Sequence, residues 1–342
     1  MDAKRVSVHY SLYCVHRKQI VEALGRVDKM DDQIQRVLIA GGRGLIGRSV
    51  GKRLIETGRE VWVLSRTPSL AHEPEGARFI GWDGKTTLGW SEIVSHVDAV
   101  IQLAGASLGS SPWTDERRDL ILNSRVDSGR AVASAIKAAS PRPRVLIQAS
   151  AIGYYGNSEE AAFTESDLAG KGWLQDVCTV WENTTRDVEE VGVRRVVIRT
   201  GLVLDRNLGI LPLMALPVRM GVGGRLGSGK QWISWIHIED VVGAITSLMK
   251  TENATGPYNL TAPAPVRNAE FIRMLAAALD RPYWFPTPAF AIQLAVGKMS
   301  ELVLQGQNVV PERLEQMGFE FSYRDLESAL GAIYPEKSKF PG

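Results

Sequence analysis

Four glycines, Gly41, Gly42, Gly44 and Gly47, sit between an apolar run, Val37-Leu38-Ile39-Ala40, and a helical stretch over residues 49–57 that Gly58 closes. A short apolar run of this kind marks a buried parallel strand. A strand, a glycine turn and a helix make a phosphate cradle. Backbone N–H groups approach a pyrophosphate closely there, and the helix N-terminus adds partial positive charge. In that context the glycine spacing predicts a dinucleotide site formed by Gly41, Gly42, Arg43, Gly44, Leu45, Ile46 and Gly47. The alternative is a glycine-rich turn in some other α/β fold.

The following strand, residues 60–64, bears on the choice of cofactor. An NAD site places Asp or Glu about 20 residues past the glycines, where it binds the ribose 2′-hydroxyl. Here Ser65 and Arg66 stand at the strand end. A carboxylate would repel a 2′-phosphate, whereas a guanidinium and a hydroxyl bind it. Arg43 can add a second positive group. NADP is therefore expected, with NAD the less favoured cofactor. The plainer reading leaves Arg66 as a solvated loop residue.

The elements that must position these groups alternate along the chain. Strands are expected at 78–81, 99–103, 145–149 and 195–199, with helices over 114–139 and 173–191. The pattern is that of an α/β protein with a doubly wound parallel sheet. Further on, helices are expected at 238–250, 268–279, 289–304, 311–317 and 324–333, and a strand at 258–260. Glu239 and Asp240 would cap the first of these helices and Asn268 the second. Three parts are expected: an N-terminal extension over 1–35 with a short helix at 18–27, a dinucleotide-binding Rossmann domain over 36–201, and a segment over 202–342. The last completes the sheet and forms a small C-terminal domain on the substrate side.

In open α/β sheets ligands bind outside the carboxyl ends of the strands. Leu103, Ala104 and Gly105 would lie along the nucleotide. Ser150, Tyr154 and Tyr155 would bring a hydroxyl and two phenols near the nicotinamide. Arg125 can clamp a phosphate or carboxylate, or form an interhelical salt bridge. The glycine-rich run 221–230 reads as a substrate loop or a plain surface loop. It is not a P-loop, because Gln231 follows Lys230. His237 reads as a packed structural histidine rather than a catalyst.

From Arg36 to about Tyr334 the chain resembles the extended short-chain dehydrogenases/reductases, sugar-nucleotide epimerases among them. More closely it resembles an atypical epimerase-family branch, described as nucleoside-diphosphate-sugar epimerases. The resemblance rests on Gly41 to Gly47, Leu103-Ala104-Gly105, Trp113, Ser124-Arg125, Ser150 to Gly156, Trp181-Glu182, Arg199-Thr200-Gly201, Gly227-Ser228-Gly229, Trp235 to Asp240 and Gly256-Pro257-Tyr258-Asn259. Gly306-Gln307, Pro311 and Gly318-Phe319 are typical of the branch. The resemblance implies a Rossmann domain with a small substrate domain, a nicotinamide cofactor, and hydride transfer to or from a substrate carbon.

One departure matters. Typical members carry Tyr-x-x-x-Lys on the helix after the serine strand. The tyrosine exchanges a proton with the substrate hydroxyl, and the lysine lowers its pKa and holds the ribose. The matching residues here are Cys178-Thr179-Val180-Trp181-Glu182. Three readings stand. Tyr154 or Tyr155 takes over proton transfer, supported by Ser150; or Cys178 acts as the acid/base; or the site binds NADP without turnover, as a sensor or regulatory protein. Leu174, Val177, Cys178 and Trp181 follow helical spacing, so Cys178 is equally readable as core.

Bulk properties exclude several classes. The 342 residues are 44% hydrophobic and 23% charged with net charge +2, an ordinary globular composition. No basic run interleaves with aromatics, so nucleic acid is not an expected partner. Two cysteines, Cys14 and Cys178, exclude a disulfide framework and a cysteine zinc site. The five histidines show no metal-ligand spacing, and no metal is expected. No apolar run nears the ~20 residues that span a bilayer. A cytoplasmic protein with a small-molecule substrate is expected, and a homodimer is in keeping with the fold.

Overall fold

Val37 and Ile39 pack into the core on one face of a β-sheet, and Leu38 and Ala40 into the core on the other, all four fully buried. Alternation with both faces apolar is what a central parallel strand requires. The computed structural model describes residues 34–68 and 74–336. All but the last two residues of the expected N-terminal extension, its 18–27 helix included, lie outside the described residues.

The strands of the main sheet are β1 (Arg36–Ala40), β2 (Glu60–Ser65), β3 (Arg78–Gly81), β4 (Ala99–Gln102), β5 (Val145–Ala151), β6 (Arg194–Thr200) and β7 (Gly256–Leu260). They lie in the order β7-β6-β5-β4-β1-β2-β3, and every neighbouring pair is parallel. The order reverses between β1 and β4. There the carboxyl ends diverge and leave the crevice of a doubly wound sheet.

Helices α1 (Leu45–Glu56), α2 (Asp115–Ala138) and α3 (Trp173–Asn183) connect these strands. The longer of the later helices are α4 (Leu211–Arg219), α5 (Ile238–Lys250), α6 (Asn268–Ala278), α7 (Ala289–Val296) and α8 (Leu326–Ile333), with short turns of helix at Glu301–Leu304 and Glu312–Gln316. Val50 and Leu54 of α1 share one core with Val241, Ile245 and Leu248 of α5. Val132, Ala135 and Ile136 of α2 fill the core on the opposite face. A third cluster is separate from both. Leu211 and Ala215 of α4, Phe271 and Leu275 of α6, and Leu326 and Leu330 of α8 pack around Trp235. The C-terminal segment thus has its own apolar centre, while α5 and β7 return to complete the sheet. No helix among the described residues is long and apolar enough to cross a membrane.

Several elements differ from the sequence expectation. Helix α1 starts at Leu45 rather than at residue 49. Its first turn packs Gly47 onto the glycine turn, and that tertiary contact outweighs glycine's poor helix propensity. The expected 173–191 helix ends at Asn183, because Thr184 Oγ1 turns back to donate to the Trp181 carbonyl at 2.7 Å. Residues Arg186–Val191 continue as a 3-10 helix. The expected 289–304 helix breaks at Gly297, whose φ is +56°. Helix α5 is capped by His237, not by its acids: His237 Nδ1 accepts from the Glu239 N–H at 3.2 Å. Asn268 lies inside α6, and its side-chain oxygen accepts from the Leu226 N–H at 2.9 Å instead of capping.

Candidate active site

The glycine turn fits the end of β1 with no room for side chains. Gly41 has φ +86°, and a Cβ there would stand 2.7 Å from the Leu103 carbonyl carbon. A Cβ on Gly47 would stand 2.5 Å from the Gly41 carbonyl oxygen. Helix α1 therefore begins directly against the strand end. Its N-cap, Gly44, makes no side-chain cap bond. The first N–H groups of a helix have no intrahelical partner, so those of Leu45, Ile46 and Gly47 are suited to an anionic diphosphate.

Beside this turn, Arg43 and the end of β2 converge. Arg43 Nη1 donates to Thr67 Oγ1 at 2.5 Å, and the Thr67 N–H donates to Ser65 Oγ at 3.2 Å. Ser65 is buried, whereas Arg43 and Arg66 are exposed. Two guanidinium groups and two hydroxyls thus occupy the strand end where a carboxylate would bind an unphosphorylated ribose. Thr67 was missed in the sequence reading. Its signal was its place two residues after Ser65, where a turn brings its hydroxyl back to Arg43.

Leu103, Ala104 and Gly105 leave β4 across the glycine turn, and the Leu103 N–H donates to the Ala40 carbonyl at 2.8 Å. Among the described residues Arg125 makes no salt bridge. Its Nη1 donates to the carbonyls of Ala106 (3.0 Å) and Ile121 (2.9 Å), and its guanidinium lies over the Trp181 ring. Ser124 Oγ accepts from the Ala106 N–H at 2.9 Å. Both residues hold the loop that follows Gly105.

The ends of three adjacent strands carry a connected polar network. Strand register pairs Ser150 of β5 with Arg199 of β6, and Arg199 with Asn259 of β7. Ser150 Oγ donates to Glu182 Oε1 at 2.6 Å. Arg199 grips the same carboxylate with two bonds, Nε to Oε1 at 2.8 Å and Nη2 to Oε2 at 2.9 Å. Its remaining nitrogen, Nη1, donates to the Tyr155 hydroxyl at 3.0 Å, and that hydroxyl donates to Asn259 Oδ1 at 2.6 Å. The side chains of Arg199 and Glu182 are 5% and 13% exposed. Burial alone would lower the Arg199 pKa, but the Glu182 carboxylate and the Tyr155 hydroxyl outweigh it and hold the guanidinium above its ordinary value.

Glu182, which the resemblance aligns with the lysine of typical members, thus meets a cation supplied by a strand. In the sequence Arg199 figures only in the Arg199-Thr200-Gly201 motif, with no role at the site. The available signal was the anion itself, since a buried carboxylate needs a cationic partner.

The two tyrosines have different surroundings. Tyr155 is buried, stacks on Phe163, and is pushed up to about 12 by burial, with Arg199 opposing. Tyr154 is half-buried, with the Arg199 guanidinium carbon 3.4 Å from its ring centre. Its hydroxyl forms no hydrogen bond among the described residues. Cys178 is buried behind the 150–156 segment, its Sγ 3.8 Å from where a Cβ on Gly153 would be. Burial, reinforced by the Glu182 charge, raises its thiol to about 12. Such a thiol stays protonated near neutral pH.

A cavity of about 500 Å³ opens beside the end of this segment, at Tyr155 and Gly156. Arg118 of α2, Lys171 and Trp173 at the start of α3, and Glu301 and Gln305 of the C-terminal segment line it. The C-terminal segment reaches this place because Met299 packs on the Trp113–Ile121–Val177 cluster and Lys298 pairs with Asp115 at 3.3 Å.

Residues 37–172 match a family model described as the NAD dependent epimerase/dehydratase family, and residues 287–333 match a domain of unknown function. The epimerase family protein YfhF of Bacillus subtilis (strain 168) is 36% identical over 302 residues, covering 88% of this chain and 98% of that protein. The crystal structure of human epimerase family protein SDR39U1 (isoform2) with NADPH superposes with a TM-score of 0.78 at 32% identity, over 88% of this chain and 99% of that one. A nucleoside-diphosphate sugar epimerase from Corynebacterium glutamicum gives 0.72 at 28% identity, over 94% and 64%.

Proposed function

The chain belongs to the epimerase family, and from that premise we propose that it is an NADP-dependent oxidoreductase or epimerase. It acts on a hydroxyl or carbonyl of a small polar substrate, with nucleotide-linked sugars among the candidates. The observation that carries the cofactor is the convergence of Arg43, Ser65 and Thr67 beside the glycine turn. With Arg66 they supply two positive charges and two hydroxyls for a 2′-phosphate. The N–H groups of Leu45, Ile46 and Gly47 hold the diphosphate, and Leu103 to Gly105 lie along the nucleotide, fixed from behind by Arg125.

When bound, the nicotinamide supplies or takes up a hydride. The protein must then exchange a proton with the substrate oxygen. Tyr154 is the candidate for this step: its hydroxyl is unengaged among the described residues, and its ring lies over the Arg199 guanidinium. Ser150 Oγ donates its hydrogen bond to Glu182, which leaves its lone pairs to accept from a substrate hydroxyl. In this reading Tyr155 and Cys178 support the site: one is fixed between Arg199 and Asn259, and the other is protonated and buried. Residues 36–201 with α5 and β7 bind the cofactor, and the rest of 202–342 closes the substrate side.

A second reading has one observation in its favour. Cys178 and Glu182 replace the usual tyrosine and lysine, and neither can perform their tasks as placed. The protein would then be an NADP-binding sensor without turnover. Single-turnover mixing of the NADPH-loaded protein with carbonyl compounds and sugar nucleotides separates the two. Loss of nicotinamide absorbance that disappears in Tyr154→Phe supports the enzyme. Unchanged absorbance across a broad panel, with tight NADPH binding, supports the sensor.

A further inference from the structure

We infer that the cavity beside Tyr155 and Gly156 is an anion subsite in which Arg118 holds the phosphate or carboxylate group of a small, hydroxyl-rich substrate. The inference rests on the reading that this side of the cleft receives substrate, and it narrows the class of that substrate.

Arg118 is the anchor. Its Nε is fully buried and has no partner, and its guanidinium carbon stacks 4.4 Å from the centre of the Trp173 ring. Among the described residues its guanidinium forms no hydrogen bond and no ion pair. Arg117 also leaves its Nε without a partner, but its Nη2 donates to the Ser107 carbonyl and Ser110 Oγ, and Arg125 Nη1 donates to two carbonyls. A partly desolvated guanidinium held flat on an indole, with its donors unspent, is arranged for a bidentate anion. Leaving it unpaired costs solvation that a bound carboxylate or phosphate would restore.

Two glycines, Gly170 and Gly172, form part of the wall. A Cβ on Gly170 would stand 2.4 Å from the Tyr155 carbonyl oxygen, and one on Gly172 would stand 2.5 Å from Gln175 Oε1. The chain therefore passes the cavity without side chains at these two positions. Lys171, between them, adds a second positive charge at the rim. Glu301, Gln305 and Asn157 line the cavity as well. They suit hydroxyl groups, because a carboxylate accepts from them and amides do both. The balance of two cations and one carboxylate favours a ligand with a single anionic group over a polyanion. A volume of about 500 Å³ is within the range of small-molecule sites and admits a monosaccharide-sized ligand.

The test uses the full chain, with and without NADPH, and three probes: inorganic phosphate, D-gluconate and uncharged D-glucose. Binding is followed by calorimetry and by the indole N–H resonance of Trp173, identified with Trp173→Phe. At least one anion is expected to bind saturably and move that resonance, and D-glucose to bind at least tenfold more weakly. Arg118→Gln should weaken anion binding at least tenfold, and Arg118→Lys, which keeps the charge and the stem, should lie between. Preference for phosphate identifies a phosphate ester, and preference for gluconate a sugar acid. The proposal is overturned if neither anion binds, or if Arg118→Gln binds them as wild type does. NADPH titration of the same samples reports separately on the cofactor reading, so either can fail alone.

Discussion

Ser150 Oγ donates a 2.6 Å hydrogen bond to Glu182 Oε1, and that carboxylate is held from its other side by Arg199. The relationship fixes the polarity of the site. A serine whose proton is committed to a carboxylate can only accept from a further partner, and the guanidinium opposite balances the carboxylate's charge. Breaking a buried pair by removing one partner is far costlier than the pair's net contribution. Glu182→Ala is therefore expected to lower stability by about 3–5 kcal/mol in chemical denaturation. A loss below about 1 kcal/mol would show that solvent reaches Arg199 and that the pair behaves as a surface ion pair.

The cofactor assignment can be tested by mutation at the end of β2. Arg43→Ala, Arg66→Ala and Thr67→Val should each weaken NADPH binding, the two arginine changes by about tenfold or more, as charge-assisted bonds of about 1.5–3 kcal/mol imply. NADH binding should change little. Equal losses for both cofactors in calorimetric titration would place the 2′-phosphate elsewhere.

The two neighbouring tyrosines should separate cleanly. Tyr155→Phe removes a hydroxyl bonded to Arg199 and Asn259 and should cost about 1–3 kcal/mol of stability, with NADPH affinity kept. Tyr154→Phe should leave stability within about 0.5 kcal/mol and slow single-turnover hydride transfer by about 10²–10⁴-fold. The opposite pattern would exchange their roles.

Cys178 should be chemically silent. With its thiol raised to about 12, in a Cys14→Ser background it should resist alkylation in the native state and react only on unfolding. Cys178→Ala should retain turnover to within a few-fold. Rapid native labelling coupled to loss of turnover would restore Cys178 as the acid/base.

His237 predicts a pH dependence. Burial lowers its pKa, with Glu239 and Asp240 opposing, and its Nδ1 accepts the cap bond of α5 only when unprotonated. The unfolded chain takes up a proton near the ordinary value of about 6.5, before the folded protein does. The stability from this group is thus fully present above about pH 6.5 and is lost as pH falls through the depressed folded value. Comparing wild type with His237→Asn by denaturation at about pH 7.5 and about pH 5 should show a steeper acid loss in wild type. Parallel losses would mean that His237 does not titrate in that window.

The sequence by itself determined the phosphate cradle, the Ser65-Arg66 strand end and the alternation that makes a parallel sheet. Each is a local pattern inside one strand–turn–helix unit, where chain geometry leaves few alternatives. It also put Cys178 and Glu182 at the helix positions where the resemblance leads one to expect tyrosine and lysine. Only the tertiary structure decided what surrounds Glu182. Ser150, Arg199 and Asn259 meet because β5, β6 and β7 are neighbours in matching register, and Tyr155 reaches Asn259 across 104 residues of chain. Sheet order and register are set by the packing of whole elements, so no local pattern in the sequence records them. The same holds for the cavity at Arg118, whose far wall at Glu301 and Gln305 comes from a segment the sequence places at the other end of the protein.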